Sequence, residues 1–308
     1  MPATADTMNR FQGCLMGLAV GDAFCAGREG GPLERLLWRV IGRCDGRHRY
    51  TDDTQMALDL ARHLIAHRSI IPDTLATDFA RSYQWSRGYG PSTTHVLKQI
   101  RKGMPWHVAN VSRYPHGSFG NGAAMRIPVI AMAYLKKPQE MDAAVVASSS
   151  VTHPHPSAIT GARLVCTAVA AGLNRSTTNE TMAELMRLAS RSDHETKMRL
   201  ICDLIAQSTT PPAASLRRSL GTGTAAVDSC PTAILLGLRF RDCDIAELIA
   251  YVNMCSGDTD TIAAMAGAIW GAVNGIERIP NPMRRNIEGD DTILQVAIDL
   301  HALAISSS

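Results

Sequence analysis

The sequence predicts an all-α fold arranged as one domain over residues 1–308. Three observations carry this. Apolar residues recur every third or fourth position through most of the chain. Runs alternating apolar and polar residues are few, and β-branched clusters are scarce. No breaker segment is long or polar enough to be a linker, and no repeat of fixed period appears. A hydrophobic content of 45% against 19% charged residues in 308 residues supplies apolar surface for a substantial core.

The elements follow in order. The N-terminal "MPATADTMNRFQGCLMGLAVGDAF" sets one arginine before a short apolar run, as signal peptides do, but the run carries three glycines and ends at Asp22 with no cleavage site. No stretch reaches the ~18 uninterrupted apolar residues of a membrane span. "TDDTQMALDLARHLIAH" is an amphipathic helix with a Thr/Asp start. Helical periodicity continues at 142–150, 157–172, 176–190 (capped from Ser176, Thr177 or Thr178), 194–208, 232–240 and 244–254, with breakers at 42–50, 86–92, 103–120, 152–156, 208–215 and 276–284. Residues 261–275 form a helix with Gly267, Gly271 and Gly275 at four-residue spacing beside Ala264, Ala268 and Ala272. Glycine costs about 1 kcal/mol in a helix interior relative to alanine, so this helix is expected to be buried against a closely approaching backbone. A final helix, "DDTILQVAIDLHALAI", docks on the body.

A formal net charge of +3 with dispersed basic residues argues against nucleic acid and anionic membrane as partners. Eight cysteines without CxxC spacing read as reduced, mostly buried small hydrophobes. A cytoplasmic monomer is the expectation.

Acidic residues carry the chemistry. "YTDDTQM" places Thr51, Asp52, Asp53 and Thr54 before one apolar helix, and "GDTDTI" places Asp258, Asp260 and Thr261 before another. One such cluster is ordinarily a helix cap. Two of the same kind, each heading a buried helix, make an all-oxygen set suited to Mg²⁺, Mn²⁺ or Ca²⁺ rather than zinc. Two adjacent ions orient vicinal hydroxyls and acidify a water. Glu29 stands in the glycine-rich "GREGG", where a mobile loop supplies an acid or base. Gly117, Gly120 and Gly122 surround Ser118 and Asn121 in "HGSFGNG", an ordinary turn or a phosphate cradle. His153 lies between two helices. "GTGTAA" matches a relaxed dinucleotide fingerprint without the strand that motif requires. "DTDTI" fits an Asp-nucleophile phosphatase motif, but that motif should end an early strand.

Seven segments in order resemble the ADP-ribosylglycohydrolase family, of the dinitrogenase-reductase-activating glycohydrolase type: "GCLMGLAVGDAFCAGREG", "YTDDTQMAL", "RGYGPSTTHVLKQIRKG", "GSFGNGAAMRIPVIAMAY", "SSSVTHPHPSAITGA", "LGTGTAAVDSCPTAILLGL" and "VNMCSGDTDTIAAMAGAIWGAVNG". The resemblance implies a single compact orthogonal multi-helix domain around a two-metal cleft holding Mg²⁺ or Mn²⁺. It implies Thr51, Asp52, Asp53, Asp258, Asp260 and Thr261 as metal ligands, and Glu29, Asp258 and Asp260 in catalysis. Gly117, Ser118, Phe119, Gly120, Asn121, Gly122 and His153 then bind substrate. The implied reaction hydrolyses the bond between ADP-ribose and a protein side chain, arginine ahead of serine. A non-hydrolytic ADP-ribose binder and the phosphatase are the alternatives. Ser256 departs from the family pattern, where glycine is usual. It stands at the edge of the cleft, within reach of substrate, and is strained if its φ is positive.

Overall fold

Local signals close the helices near where the sequence places their ends. The structure, a computed structural model, describes residues 2–28, 32–207 and 209–306. Helices α1 (Pro2–Cys25) and α2 (Pro32–Ile41) precede a short antiparallel hairpin, β1 (Arg43–Cys44) and β2 (Arg47–His48), within the expected 42–50 break. Then come α3 (Asp52–His67), α4 (Pro72–Ser82), α5 (Pro91–Arg101), α6 (Trp106–Ala109), α7 (Pro128–Ala133), α8 (Pro138–Ser150) and α9 (Pro156–Leu173). Proline opens α4, α5, α7, α8 and α9, where its missing N–H has no helical partner to lose. The chain continues through α10 (Thr178–Ala189), α11 (Glu195–Ala206), α12 (Ala213–Ser219), α13 (Ala226–Arg239), α14 (Ile245–Cys255), α15 (Thr259–Asn274), α16 (Asn281–Arg285) and α17 (Asp290–Ser306). Capping boxes start α10 (Thr177 with Glu180) and α14 (Asp244 with Glu247).

Two expected boundaries move. The helix expected from 232 begins at Ala226 and runs through Pro231, giving up one backbone hydrogen bond for a buried face. The 103–120 break contains the single turn α6. Apart from the two-residue strands β1 and β2, the described residues are helices and connections, so Asp258 ends no strand and the phosphatase alternative lacks its scaffold.

Glycines explain the centre of the fold. Gly13, Gly17 and Gly21 of α1 face Gly271, Gly267 and Ala263 of α15, and a Cβ on any of these α1 glycines would run into the opposing backbone. The expected close approach around α15 is thus made by a matching stripe on α1. Around this pair pack α9, α13, α14 and α17, in a core running from Phe11 to Ala304. Helix α9 is long and apolar enough to cross a membrane, but its apolar face is core, packed on α7, α8, α10, α13 and α15. Trp270 is fully buried and its indole N–H donates to the Cys243 carbonyl at 3.1 Å. His63 serves as an end-stop for α4. Its Nε2 accepts the Ile71 N–H at 3.1 Å and its Nδ1 lies 2.9 Å from Asp78 Oδ2, so both ring nitrogens are used and neither is free for a metal.

Candidate active site

Three helix ends meet at the site. Helix α3 begins with Thr51 as its N-cap, whose hydroxyl accepts from the Asp53 N–H at 3.3 Å. Helix α15 begins just after Asp258. The last turn of α1 supplies Asp22, which the sequence reading passed over. Asp22 is fully buried and accepts from the Thr51 N–H at 3.0 Å, the Thr54 N–H at 3.1 Å and the Thr54 hydroxyl at 2.6 Å. It closes the start of α3 from below, as a second cap.

The carboxylates converge. One oxygen each from Asp22, Asp53 and Asp260 lie within 4.8 Å of one another, all three residues being buried. Asp53 Oδ2 accepts from the Thr51 hydroxyl at 3.0 Å and the Thr261 hydroxyl at 3.3 Å, so both acidic clusters meet at this atom. Asp258 Oδ2 accepts from Asn121 Nδ2 at 2.5 Å, and the same amide donates to Ser229 Oγ at 2.9 Å. The Thr261 N–H donates to Asp260 Oδ1 at 2.9 Å.

This arrangement fits a divalent cation. Burial raises the pKa of Asp22, Asp53 and Asp258, and at Asp53 the neighbouring Asp22, Asp52 and Asp258 add to it. Asp53 Oδ1 is buried without a hydrogen-bond partner among the described residues. Such an atom costs about 1–3 kcal/mol unless something satisfies it. A hard cation satisfies it and relieves the repulsion, and an all-oxygen donor set matches a hard divalent ion.

A pH effect follows with a definite sign. In the metal-free protein these acids hold folded-state pKa values above the unfolded value of 3.8. The folded state therefore binds more protons than the unfolded state above that pH, and stability falls as pH rises through the window. The metal competes with those protons. The Tm gap between Mg²⁺-loaded and chelator-treated protein is expected to widen from about pH 5 to about pH 8. Thermal melts across that range check it, and a constant gap contradicts it.

A cleft of about 270 Å³ opens over the carboxylates. Its floor includes Asp52, Asp258, Asp260 and Thr261. Ser118, Phe119, Gly120, Asn121 and Gly122 form one wall, and Gly88 and residues 90–93 contribute to the other. His153 reaches the cleft from beneath the glycine loop. A Cβ on Gly122 would sit 2.6 Å from its ring, so glycine is needed for the ring to pack there. Burial, then Arg126, pushes the His153 pKa down to about 3. The ring is neutral at neutral pH and offers hydrogen bonding, not charge. Arg126 lies fully buried below, donating to the Ser148 carbonyl and the Thr152 hydroxyl at 2.9 Å. Burial brings its pKa down to about 9.

"GTGTAA" has a structural task. The Thr222 carbonyl accepts the Asp258 N–H at 2.8 Å, and the Thr224 carbonyl accepts the Asn121 N–H at 2.9 Å. This stretch ties the glycine wall to the acidic floor.

The family model for ADP-ribosylglycohydrolase matches residues 3–307. The chain belongs to the ADP-ribosylglycohydrolase family. ADP-ribosylhydrolase ARH3 of Xenopus tropicalis is 31% identical over 324 residues, covering 92% of each chain. Human ADP-ribosylhydrolase ARH3 is 29% identical, covering 96% of this chain and 94% of its own. A solved structure titled "ADP-ribosylglycohydrolase-related protein complex" superposes with a TM-score of 0.75 at 22% identity, over 97% of this chain and 99% of that one. That likeness speaks to the fold.

The family member gathers most of its expected site residues. Thr51, Asp52, Asp53, Asp258, Asp260 and Thr261 come together at the buried floor. Ser118 to Gly122 and His153 line the cleft. Gly117 turns the chain beside Pro154 instead of lining it. Glu29 lies outside the described residues. Ser256 is exposed, is not among the cavity-lining residues and adopts φ 58°, ψ 171°, a region only glycine enters freely. Ser256→Gly is therefore expected to stabilise the protein by about 1 kcal/mol, raising Tm by roughly 2–4 °C. A thermal melt with unchanged or lowered Tm contradicts this. Asp22 left a signal in the sequence: an acid inside the apolar "LAVGDAF".

Proposed function

We propose that this chain hydrolyses the bond joining ADP-ribose to a protein side chain, using two Mg²⁺ or Mn²⁺ ions. The observation that carries this reading is the meeting of two hydroxyl-flanked acidic clusters at Asp53 Oδ2, beneath a glycine-walled cleft. Thr51, Asp52, Asp53, Asp258, Asp260 and Thr261 would hold the ions, with Asp22 behind them. When bound, the ions supply orientation of the ribose diol and a lowered pKa for water.

The chain's own residues do the rest. Backbone N–H groups of Ser118, Phe119 and Gly122 in the wall, with neutral His153 behind them, meet the diphosphate and contribute binding energy away from the reacting carbon. The Gly120 and Asn121 N–H groups hold the wall to Ser118 Oγ and the Thr224 carbonyl. Phe119, more than half exposed at the mouth, offers a ring face to the base. Asn121 holds the Asp258 carboxylate in one orientation. Glu29 or a floor carboxylate, Asp258 or Asp260, accepts a proton from the attacking water. The water oxygen bonds to the anomeric carbon as the bond to the side chain breaks through an oxocarbenium-like transition state, and the leaving atom takes up a proton. Arginine is placed ahead of serine as acceptor. That order is the one the family resemblance implies. We place the protein in the cytoplasm as a monomer.

The test incubates purified protein with mono-ADP-ribosylated arginine and serine peptides, with Mg²⁺, Mn²⁺ or a chelator, and measures free ADP-ribose. Metal-dependent release from either peptide supports the hydrolase, and the kcat/KM ratio ranks the acceptors. Tight ADP-ribose binding without release from any conjugate makes the chain a binder.

A further inference from the structure

The peptide bond between Tyr50 and Thr51 is held from both sides by charged side chains. Its N–H donates to Asp22. Its carbonyl accepts from Arg87 Nη1 at 2.8 Å. The Arg87 guanidinium lies 4.2 Å from the Tyr50 ring centroid and forms a two-pronged ion pair with Glu288, Nη1 to Oε2 being 3.0 Å. Glu288 is itself fixed: its N–H donates to the His48 carbonyl at 2.9 Å, and Arg49 Nε stands 3.8 Å from its carboxylate. Arg87 is buried, and the next residue, Gly88, begins the cleft wall beside Asp52, where a Cβ on Gly88 would stand 3.9 Å from Asp52 Oδ1.

Arg87 therefore joins three segments: the cleft wall from Gly88, the turn into α3, and the C-terminal 286–288 connection. A buried ion pair is weak as a source of stability, since desolvation offsets much of the attraction. Its value lies in geometry. The guanidinium is planar, and its fork toward Glu288 leaves Nη1 aimed at one carbonyl.

We propose that Arg87, oriented by Glu288, is a positioning residue that sets the Thr51–Asp53 turn for metal binding. The inference rests on the metal reading above for its function, and on the clamp alone for its geometry. It gives the Arg87–Glu288 pair a task that neither residue has by touching substrate.

The test separates positioning from stability. Arg87→Met leaves the Glu288 carboxylate with only Arg49 nearby and is expected to lower Tm. Adding Glu288→Gln removes that stranded charge and is expected to recover most of the lost Tm, the remainder reflecting the Tyr50 carbonyl without its donor. Mn²⁺ affinity, measured by titration calorimetry, is expected to stay about tenfold or more weaker in the double variant. In the metal-free double variant, amide hydrogen exchange across residues 50–56 is expected to be faster than in wild type, because the clamp on one side of the turn is gone. Arg87→Lys, which keeps a charge beside Glu288 and gives up the fork, is the second variant and should show the same split. Recovery of both Mn²⁺ affinity and exchange protection together with Tm overturns the proposal. If the wild type binds no Mn²⁺, the metal reading fails and the exchange measurement alone decides whether Arg87 positions the turn.

Discussion

Replacing Asp258 with alanine is expected to lower ADP-ribose release roughly a thousandfold or more, a loss of about 4 kcal/mol of transition-state stabilisation. Asp258 joins the acidic floor to the glycine wall: its carboxylate accepts from the Asn121 amide at 2.5 Å and its N–H donates to the Thr222 carbonyl. Alanine keeps the backbone contact and removes the carboxylate, so the fold stays and the chemistry goes. The metal-free variant is expected to melt no lower than metal-free wild type, because one of several mutually repelling buried acids has been removed. Activity lost while stability is kept or gained marks a functional site. A variant with full activity, or one that simply unfolds, argues against the assignment. Peptide hydrolysis and thermal melts on the same preparation distinguish these outcomes.

The second large effect concerns the scaffold. Gly271→Ala is expected to destabilise the protein by about 3 kcal/mol, lowering Tm by roughly 5–10 °C, and Gly271→Leu to prevent folding. The sign is diagnostic. On an exposed helix, glycine to alanine gains about 1 kcal/mol. Here the new Cβ meets the Gly13 carbonyl across the α1–α15 contact, and neither backbone can retreat, because both helices are anchored in the same core. Asp22 sits one residue past Gly21 on α1, and Asp258, Asp260 and Thr261 sit at the head of α15. Forcing the two helices apart separates these acids, so weaker Mn²⁺ binding should accompany the lower Tm. A chemical-denaturation curve checks the first and a titration the second. An unchanged Tm would mean the close approach is not required.

How much of this was legible in the sequence depended on whether the information was local. The cap at Thr51, a cap among Ser176, Thr177 and Thr178, and the small-residue pattern of 261–275 are written in consecutive residues, and each appears close to where spacing places it, the second as a box at Thr177. The two acidic clusters were legible because each carries its own hydroxyls. That they act as one set was expected from their shared pattern and the family resemblance; the atom at which they meet was not, because 208 residues separate Asp53 from Thr261. Asp22 was illegible as a site residue for the same reason. A lone aspartate near a helix end has many uses, and only the crossing of α1 over α15 turns it toward Thr51 and Thr54. Gly13, Gly17 and Gly21 appeared as interruptions in an apolar run until their partners on α15 gave them a reason. The Arg87–Glu288 clamp left no local pattern, since its members are 201 residues apart. The strain at Ser256 was foreseeable as a condition, and the backbone there meets it.

The central claim is that the buried carboxylates of α1, α3 and α15 form a divalent-metal centre on which hydrolysis depends. Titration of Mn²⁺ into chelator-stripped protein tests it most directly, with ions bound per chain as the readout. Saturable binding of two ions in the wild type, reduced in Asp258→Ala, is the result expected. No saturable binding, with ADP-ribose release undiminished in chelator, would contradict it.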